Sequence, residues 1–104
     1  MSSSSLFLSS LQTDAQVRSQ ASSVALAYME EVKTRERSLL ASEDPVRVSQ
    51  WGEVDENGPF VRQLEVVDDD TVPDAVEVTV WVRYNAGMGR LRSVEVVTVI
   101  YVGN

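Results

Sequence analysis

The chain has no cysteine and no histidine, only three prolines and a single lysine, Lys33. Without cysteine there is no disulfide, no thiol nucleophile and no cysteine-based zinc site. Without histidine there is no imidazole base, so most hydrolytic and metal chemistry is excluded at the level of composition. A serine nucleophile would need the lone lysine as its base, and Lys33 sits among charged residues with no motif around it. Lack of cysteine leaves the redox compartment open. Positive charge is scarce too: nine Lys and Arg stand against sixteen Asp and Glu, a net charge of −7. Residues 53–77 hold Glu53, Asp55, Glu56, Glu65, Asp68, Asp69, Asp70, Asp74 and Glu77 against one base, Arg62. Such a surface repels phosphate backbones, so direct nucleic-acid binding is not expected. No apolar run approaches the ~20 residues that cross a bilayer, and no basic start, apolar core and cleavage site form a signal peptide.

What remains is an ordinary globular composition, 43% hydrophobic and 24% charged over 104 residues. That length suits one domain. Surface scaling gives roughly 5,800 Å² folded against about 16,700 Å² unfolded, enough burial for one modest core without staples.

The chain divides at Pro45. Residues 1–5, Met-Ser-Ser-Ser-Ser, read as a flexible leader, with a single domain over 6–104. From Leu6 to Arg37 there is no proline or glycine, and Leu11, Ala15, Val17, Ala21, Val24, Ala25, Tyr28 and Val32 recur at spacings of three and four. This is one stripe of an amphipathic helix, predicted over 6–37. Glu31 and Arg35 form a favourable pair one turn apart, and Lys33, Arg35 and Arg37 suit the negative end of the helix. Asp44 before Pro45 is pushed out of the helical region, so Ser42 to Pro45 is the expected stop.

Beyond Pro45 the vocabulary is that of strands: 16 of the 19 valines lie at or after Val46. Val76, Val78, Val80, Val82 and Tyr84 alternate with Glu77, Thr79, Trp81 and Arg83. Asn85-Ala86-Gly87-Met88-Gly89 supplies a hairpin turn, and Arg90 to Val102 returns. Both faces of that return strand are apolar: Val94, Val96, Thr98, Ile100 and Val102 on one, Leu91, Val97, Val99 and Tyr101 on the other. It reads as central, or covered on both sides. A third strand spans about Phe60 to Val67 with Phe60, Leu64 and Val66 facing in, and a short fourth runs near Val46 to Trp51. The expected fold is α+β: a long N-terminal helix on an antiparallel sheet of three or four strands over 46–102. Thirty-one helical residues make a rod of roughly 46 Å. A compact chain of this size has a diameter on the order of 33 Å. The first turns, with Leu6, Phe7, Leu8 and Leu11, are therefore expected to protrude and to need a partner.

Three segments carry a family resemblance: Leu8-Ser9-Ser10-Leu11-Gln12 with Arg18-Ser19-Gln20-Ala21, then Ala25-Leu26-Ala27-Tyr28-Met29-Glu30-Glu31-Val32, then the hairpin from Val76 to Tyr101. Together they resemble the type IV pilin superfamily, specifically its minor pilins and pseudopilins. The family's cleaved leader, its glutamate near the mature N-terminus and its first ~20 apolar residues do not occur here. The resemblance therefore implies the soluble part of such a subunit, with Leu6 to Leu11 the stub of the membrane segment. The absence of a cysteine pair at the C-terminal end points to a minor pilin or pseudopilin rather than a major pilin.

What the resemblance implies is non-catalytic assembly in a type IV pilus or a secretion-type filament. Its partners would be other pilin subunits, met through a helix interface of Leu6, Phe7, Leu8, Leu11 and Ala15, with Val24 and Ala25 on the same stripe. The inner membrane would be reached through the upstream segment, before assembly into a pilus or surface filament of a bacterium. No cofactor, metal or small-molecule substrate is expected. A different class of protein, a small surface-anchored module that captures a ligand through its sheet or loops, is the alternative.

Three further features are read blandly. Asp68, Asp69, Asp70 and Asp74 could supply part of a Ca²⁺ shell, but they lack the spacing of a calcium loop and read as a solvated turn before Pro73. Trp51 and Trp81 read as rim packing with bonded indoles rather than a stacking platform. Tyr28 and Met29 read as core.

Overall fold

The structure, a computed structural model, describes residues 3–69, 71–87 and 89–101, with side chains from residue 15 onward except that of residue 37. One helix, α1 (Ser3–Lys33), precedes four strands: β1 (Glu43–Val48), β2 (Phe60–Asp68), β3 (Ala75–Asn85) and β4 (Leu91–Tyr101). A short 3₁₀ turn, Arg37–Leu39, lies between helix and sheet. The strands form one antiparallel sheet in the order β1-β2-β3-β4, a meander in which each strand pairs with its neighbour in sequence. The fold is α+β, as the change of periodicity indicates.

The core lies between one face of the sheet and one stripe of the helix. Ala21, Val24, Ala25, Tyr28, Met29 and Val32 are buried, which is helical spacing. Against them lie Val48, Phe60, Leu64, Val78, Val80, Val82 and Tyr84, which is strand spacing. Phe60 and Tyr84 face each other across β2 and β3, with ring centroids 6.3 Å apart in an edge-to-face arrangement. Val17 packs at the rim of this cluster and Ala15 is exposed. The helix whose side chains can be placed against the sheet is thus short, the 19 residues Ala15–Lys33. The side chains of Leu6, Phe7, Leu8 and Leu11, expected to protrude, lie outside the described residues. The molecule measures 62 × 27 × 22 Å with a radius of gyration of 16.7 Å, against about 13 Å for a compact chain of this length.

Several boundaries differ from expectation, each for a local reason. Ser3 to Ser5, expected in a flexible leader, belong to α1, while Met1 and Ser2 lie outside the described residues. The helix stops at Lys33, short of the expected Arg37. There Thr34 N donates to Glu31 O (3.1 Å), Arg35 N donates to Val32 O (3.0 Å), and the Thr34 hydroxyl donates to Glu31 O (2.7 Å). A tightened last turn with a side-chain competitor ends a helix well before any proline. The first strand also starts earlier, at Glu43, and ends at Val48 rather than Trp51. Ser49 to Gly52 form a turn, closed by Gly52 N to Ser49 O (2.9 Å) with Gly52 at φ +86°. The largest correction concerns β4. It is not central: among the described residues it pairs only with β3 and forms one edge of the sheet, and its helix-facing Val94, Val96 and Ile100 are only half-buried.

Candidate functional site

The densest polar chemistry lies where the end of α1 meets β1 and β2. The helical spacing that buries Val24 and Val32 also buries the Tyr28 ring, and its hydroxyl emerges at the start of β1. There it donates a short hydrogen bond to the Glu43 carboxylate. Arg35, released from the helix by its early stop, folds back over the same pair. Its Nη2 donates to the Tyr28 oxygen (2.9 Å) and its Nη1 to Glu43 Oε2 (3.1 Å), with Glu31 a further 3.7 Å contact. Burial, reinforced by the bond to Glu43, raises the Tyr28 pKa above the usual phenol value. Burial acts against the charge of Arg35, yet its bonds to Tyr28 and Glu43 outweigh that and hold the guanidinium above its ordinary value.

Arg62 closes the other side of the ring. On β2 it follows Phe60 and precedes Leu64 at every second residue, so strand geometry turns it inward with them. Only 9% of it is exposed. Its guanidinium carbon lies 3.6 Å from the Tyr28 ring centroid, against 5.3 Å for Arg35, and its Nη1 donates to Gly52 O (3.0 Å). Its buried Nε finds no partner among the described residues. The one base of the acidic segment is therefore not a surface counter-charge but a buried cation held by an aromatic face and a carbonyl. Beside it lies a cleft of about 250 Å³ lined by Val24, Tyr28, Glu31, Trp51 and Arg62.

The Tyr28 hydroxyl is bonded to the Glu43 carboxylate and the Arg35 guanidinium, which ties the helix end to β1, and Arg62 over the ring ties both to β2. Sequence reading placed Tyr28 in the core and paired Glu31 with Arg35, but it did not bring Glu43 or Arg62 to the same point. The signal for Arg62 was its phase with Phe60 and Leu64.

The other candidates fall as follows. Of the proposed helix interface, Ala15 is exposed, whereas Val24 and Ala25 are buried in the chain's own core and are not available to another subunit. That is a correction for Val24 and Ala25, which meet the chain's own sheet; the side chains of Leu6, Phe7, Leu8 and Leu11 lie outside the described residues. The open face instead presents Ala15, Ser19 and Leu26, the last 54% exposed. Asp69 is spent on its own turn, its Oδ1 accepting from Thr71 N (2.9 Å), the Thr71 hydroxyl (2.7 Å) and Val72 N (3.2 Å). The Thr71 hydroxyl and amide hold its carboxyl below the usual range. Among the described residues no three acidic side chains gather in a metal-ligating group, and Asp70 lies outside them. Trp81 is half-buried and donates its indole N–H to Glu95 (3.2 Å), as rim packing requires. Trp51 departs from that reading, being 80% exposed at the mouth of the cleft. Among the described residues no helix is long and apolar enough to cross a membrane.

Compared with known proteins, the chain matches no family model, no curated protein and no solved structure.

Proposed function

We propose that the chain is a non-catalytic assembly subunit of the type IV pilin kind, a minor pilin or pseudopilin that packs its N-terminal helix into a filament. The observation that carries the reading is the order and layering of the elements. One helix comes first, buries a single stripe on a four-stranded antiparallel meander, and leaves its opposite face, with Ala15, Ser19 and Leu26, uncovered. Small residues beside an exposed leucine suit close helix–helix packing. The absence of histidine and cysteine, and a polar cluster whose groups are bonded to one another, favour a structural role over a chemical one. Partners would be other subunits of the filament along the helix, with the membrane reached through a segment upstream of it.

The test is on the helix. Leu8→Asp with Leu11→Asp should leave thermal stability within about 1 kcal/mol, the range of surface changes, while abolishing helix-mediated association in sedimentation. Loss of folding in that double variant would place those leucines in the core and defeat the reading. The natural gene offers a second check: a Gly-Phe cleavage site and an apolar segment upstream support it, and an ordinary signal peptide opposes it. One observation favours the other class, a surface binding module: the cleft beside buried Arg62, with Trp51 open at its mouth.

A further inference from the structure

Which backbone groups of β4 are free follows from two hydrogen bonds. Asp69 N donates to Ala75 O (3.0 Å), and Ala86 N to Arg90 O (2.8 Å). Bonded and non-bonded pairs alternate along an antiparallel ladder. Odd-numbered residues of β3 therefore bond to β2, and even-numbered ones to β4. Through the pairs Val82 with Val94, Val80 with Val96 and Val78 with Thr98, the even-numbered residues of β4 spend their N–H and C=O groups inside the sheet. Those of Leu91, Ser93, Glu95, Val97, Val99 and Tyr101 point out of it. Among the described residues nothing pairs with them, because β4 ends the strand order.

This edge lacks most of the usual protection against a second strand. Over Leu91–Tyr101 there is no proline and no lysine, its register with β3 runs unbroken from end to end, and its only charges are Arg92 and Glu95. Most of its remaining side chains are apolar, on both faces. Leu91, Val97, Val99 and Tyr101 are exposed on the outer face, and Val94, Val96 and Ile100 are half-covered on the helix face. The helix packs on the sheet face against β3 and β4 and runs along the strands, since a rod of roughly 46 Å lying across them would not fit the two short dimensions of 27 and 22 Å.

We propose that β4 pairs antiparallel with β4 of a second copy of this chain, about a twofold axis through Val96, to make one continuous eight-stranded sheet. The register follows from the free groups and the charges. Centred on Val96, Leu91 lies opposite Tyr101, Ser93 opposite Val99 and Glu95 opposite Val97 of the second copy, so every outward N–H and C=O is used. Arg92 faces Ile100, and no like charges oppose each other. A slip of two residues one way sets Glu95 directly against itself and strands Tyr101; a slip the other way strands Leu91. The interface is isologous, as a twofold requires. It uses no helix surface, so it stands independently of the filament reading.

In this register Val96 forms a non-hydrogen-bonded pair with itself, Cα atoms about 4.5 Å apart, within the span a disulfide bridges. The wild-type chain is expected to sediment as a monomer–dimer mixture at about 100 μM, the regime of a small interface. Val96→Cys is expected to cross-link to a dimer on mild oxidation, and Val94→Cys, which lies opposite Thr98 rather than itself, to stay uncross-linked. Val97→Lys, which puts a lysine opposite Glu95 twice, should tighten the dimer about tenfold, and Val97→Glu should weaken it as much. Val99→Lys, opposite Ser93, supplies the effect of added charge alone. All these outcomes should persist with Leu8→Asp and Leu11→Asp in place, which separates the edge contact from any contact through the helix. A chain that stays monomeric while Val96→Cys fails to cross-link overturns the proposal. So do equal cross-linking at positions 94 and 96, or equal effects of Val97→Lys and Val99→Lys.

Discussion

The two edges of the sheet are built in opposite ways. β1 is short, carries Pro45 and Asp44, and breaks register with β2 between Glu43 and Val46. The loop after it then folds back onto its outer side: Asp55 N donates to Arg47 O (3.0 Å), Ser49 N to Glu53 O (2.8 Å), and Val48 bridges to Val54. Gly58 seals that loop, since a Cβ there would lie 2.0 Å from Val48 O, and Arg47 Nη1 donates to its carbonyl (3.1 Å). Among the described residues β4, at nearly twice the length, has no proline, no break in register and no loop folded against it. Protecting an edge takes specific residues, and this chain places them on one side only. The difference marks the plain edge as the one available for pairing.

The strongest way to break that comparison is at Val96. Its N–H belongs to the ladder with β3, so Val96→Pro should cost about 3 kcal/mol or more and unfold the hairpin, seen as loss of the cooperative thermal transition. Gly58→Ala attacks the protected edge instead. The new Cβ meets backbone rather than a yielding side chain, and a loss of about 1–3 kcal/mol in urea unfolding is expected. A loss near zero would mean the loop is not held against β1.

Tyr28→Phe loosens the tie between helix and β1 and should cost about 1–2 kcal/mol, since Glu43 loses its donor and Arg35 an acceptor. It also changes the alkaline limb. The folded-state pKa of Tyr28 is raised, so its contribution is complete below the ordinary phenol value of about 10 and is lost as pH rises through the raised one. Thermal unfolding followed from pH 7 to 11 should show that decline in the wild type and less of it in the variant. The smallest expected effect is the sharpest test of parity. Val97→Pro removes an N–H that points out of the sheet, so stability should stay within about 1 kcal/mol while association through β4 disappears.

Much of the architecture was legible where one residue type repeats in one phase. Val76 to Tyr84 and the helix stripe at Ala21, Val24, Ala25, Tyr28 and Val32 required no context. Strand order did not follow from periodicity. Apolar side chains on both faces read as a strand that is central or covered on both sides, because the pattern records that a surface is apolar and not what covers it; among the described residues nothing covers the outer face of β4. The early end of α1 was hidden because Thr34 and Arg35 act through bonds to Glu31, Tyr28 and Glu43, and the last of these lies across a turn. Glu43 and Arg62 are far apart in sequence, and only the register of β1 with β2 brings them to one ring. Ser49 to Trp51 looked like strand, but they belong to a turn in which Gly52 takes a positive φ and presents its carbonyl to Arg62. The filament reading rests on the resemblance and the layering together.

The meander also sets an order of events during synthesis. The helix is made before the strands it packs on, β3 and β4. At about 5–20 residues per second, the stripe from Ala21 to Val32 waits several seconds with nothing to bury it. Most of the stability of such a helix comes from packing its apolar stripe, so the nascent segment fluctuates while its valines and Tyr28 stay open. The hairpin of β3 and β4, with its local contacts, is then the natural nucleus. Folding of the domain then begins in this hairpin and recruits a helix already made, and a stalled or truncated product lacking β4 leaves that helix available to any other apolar surface.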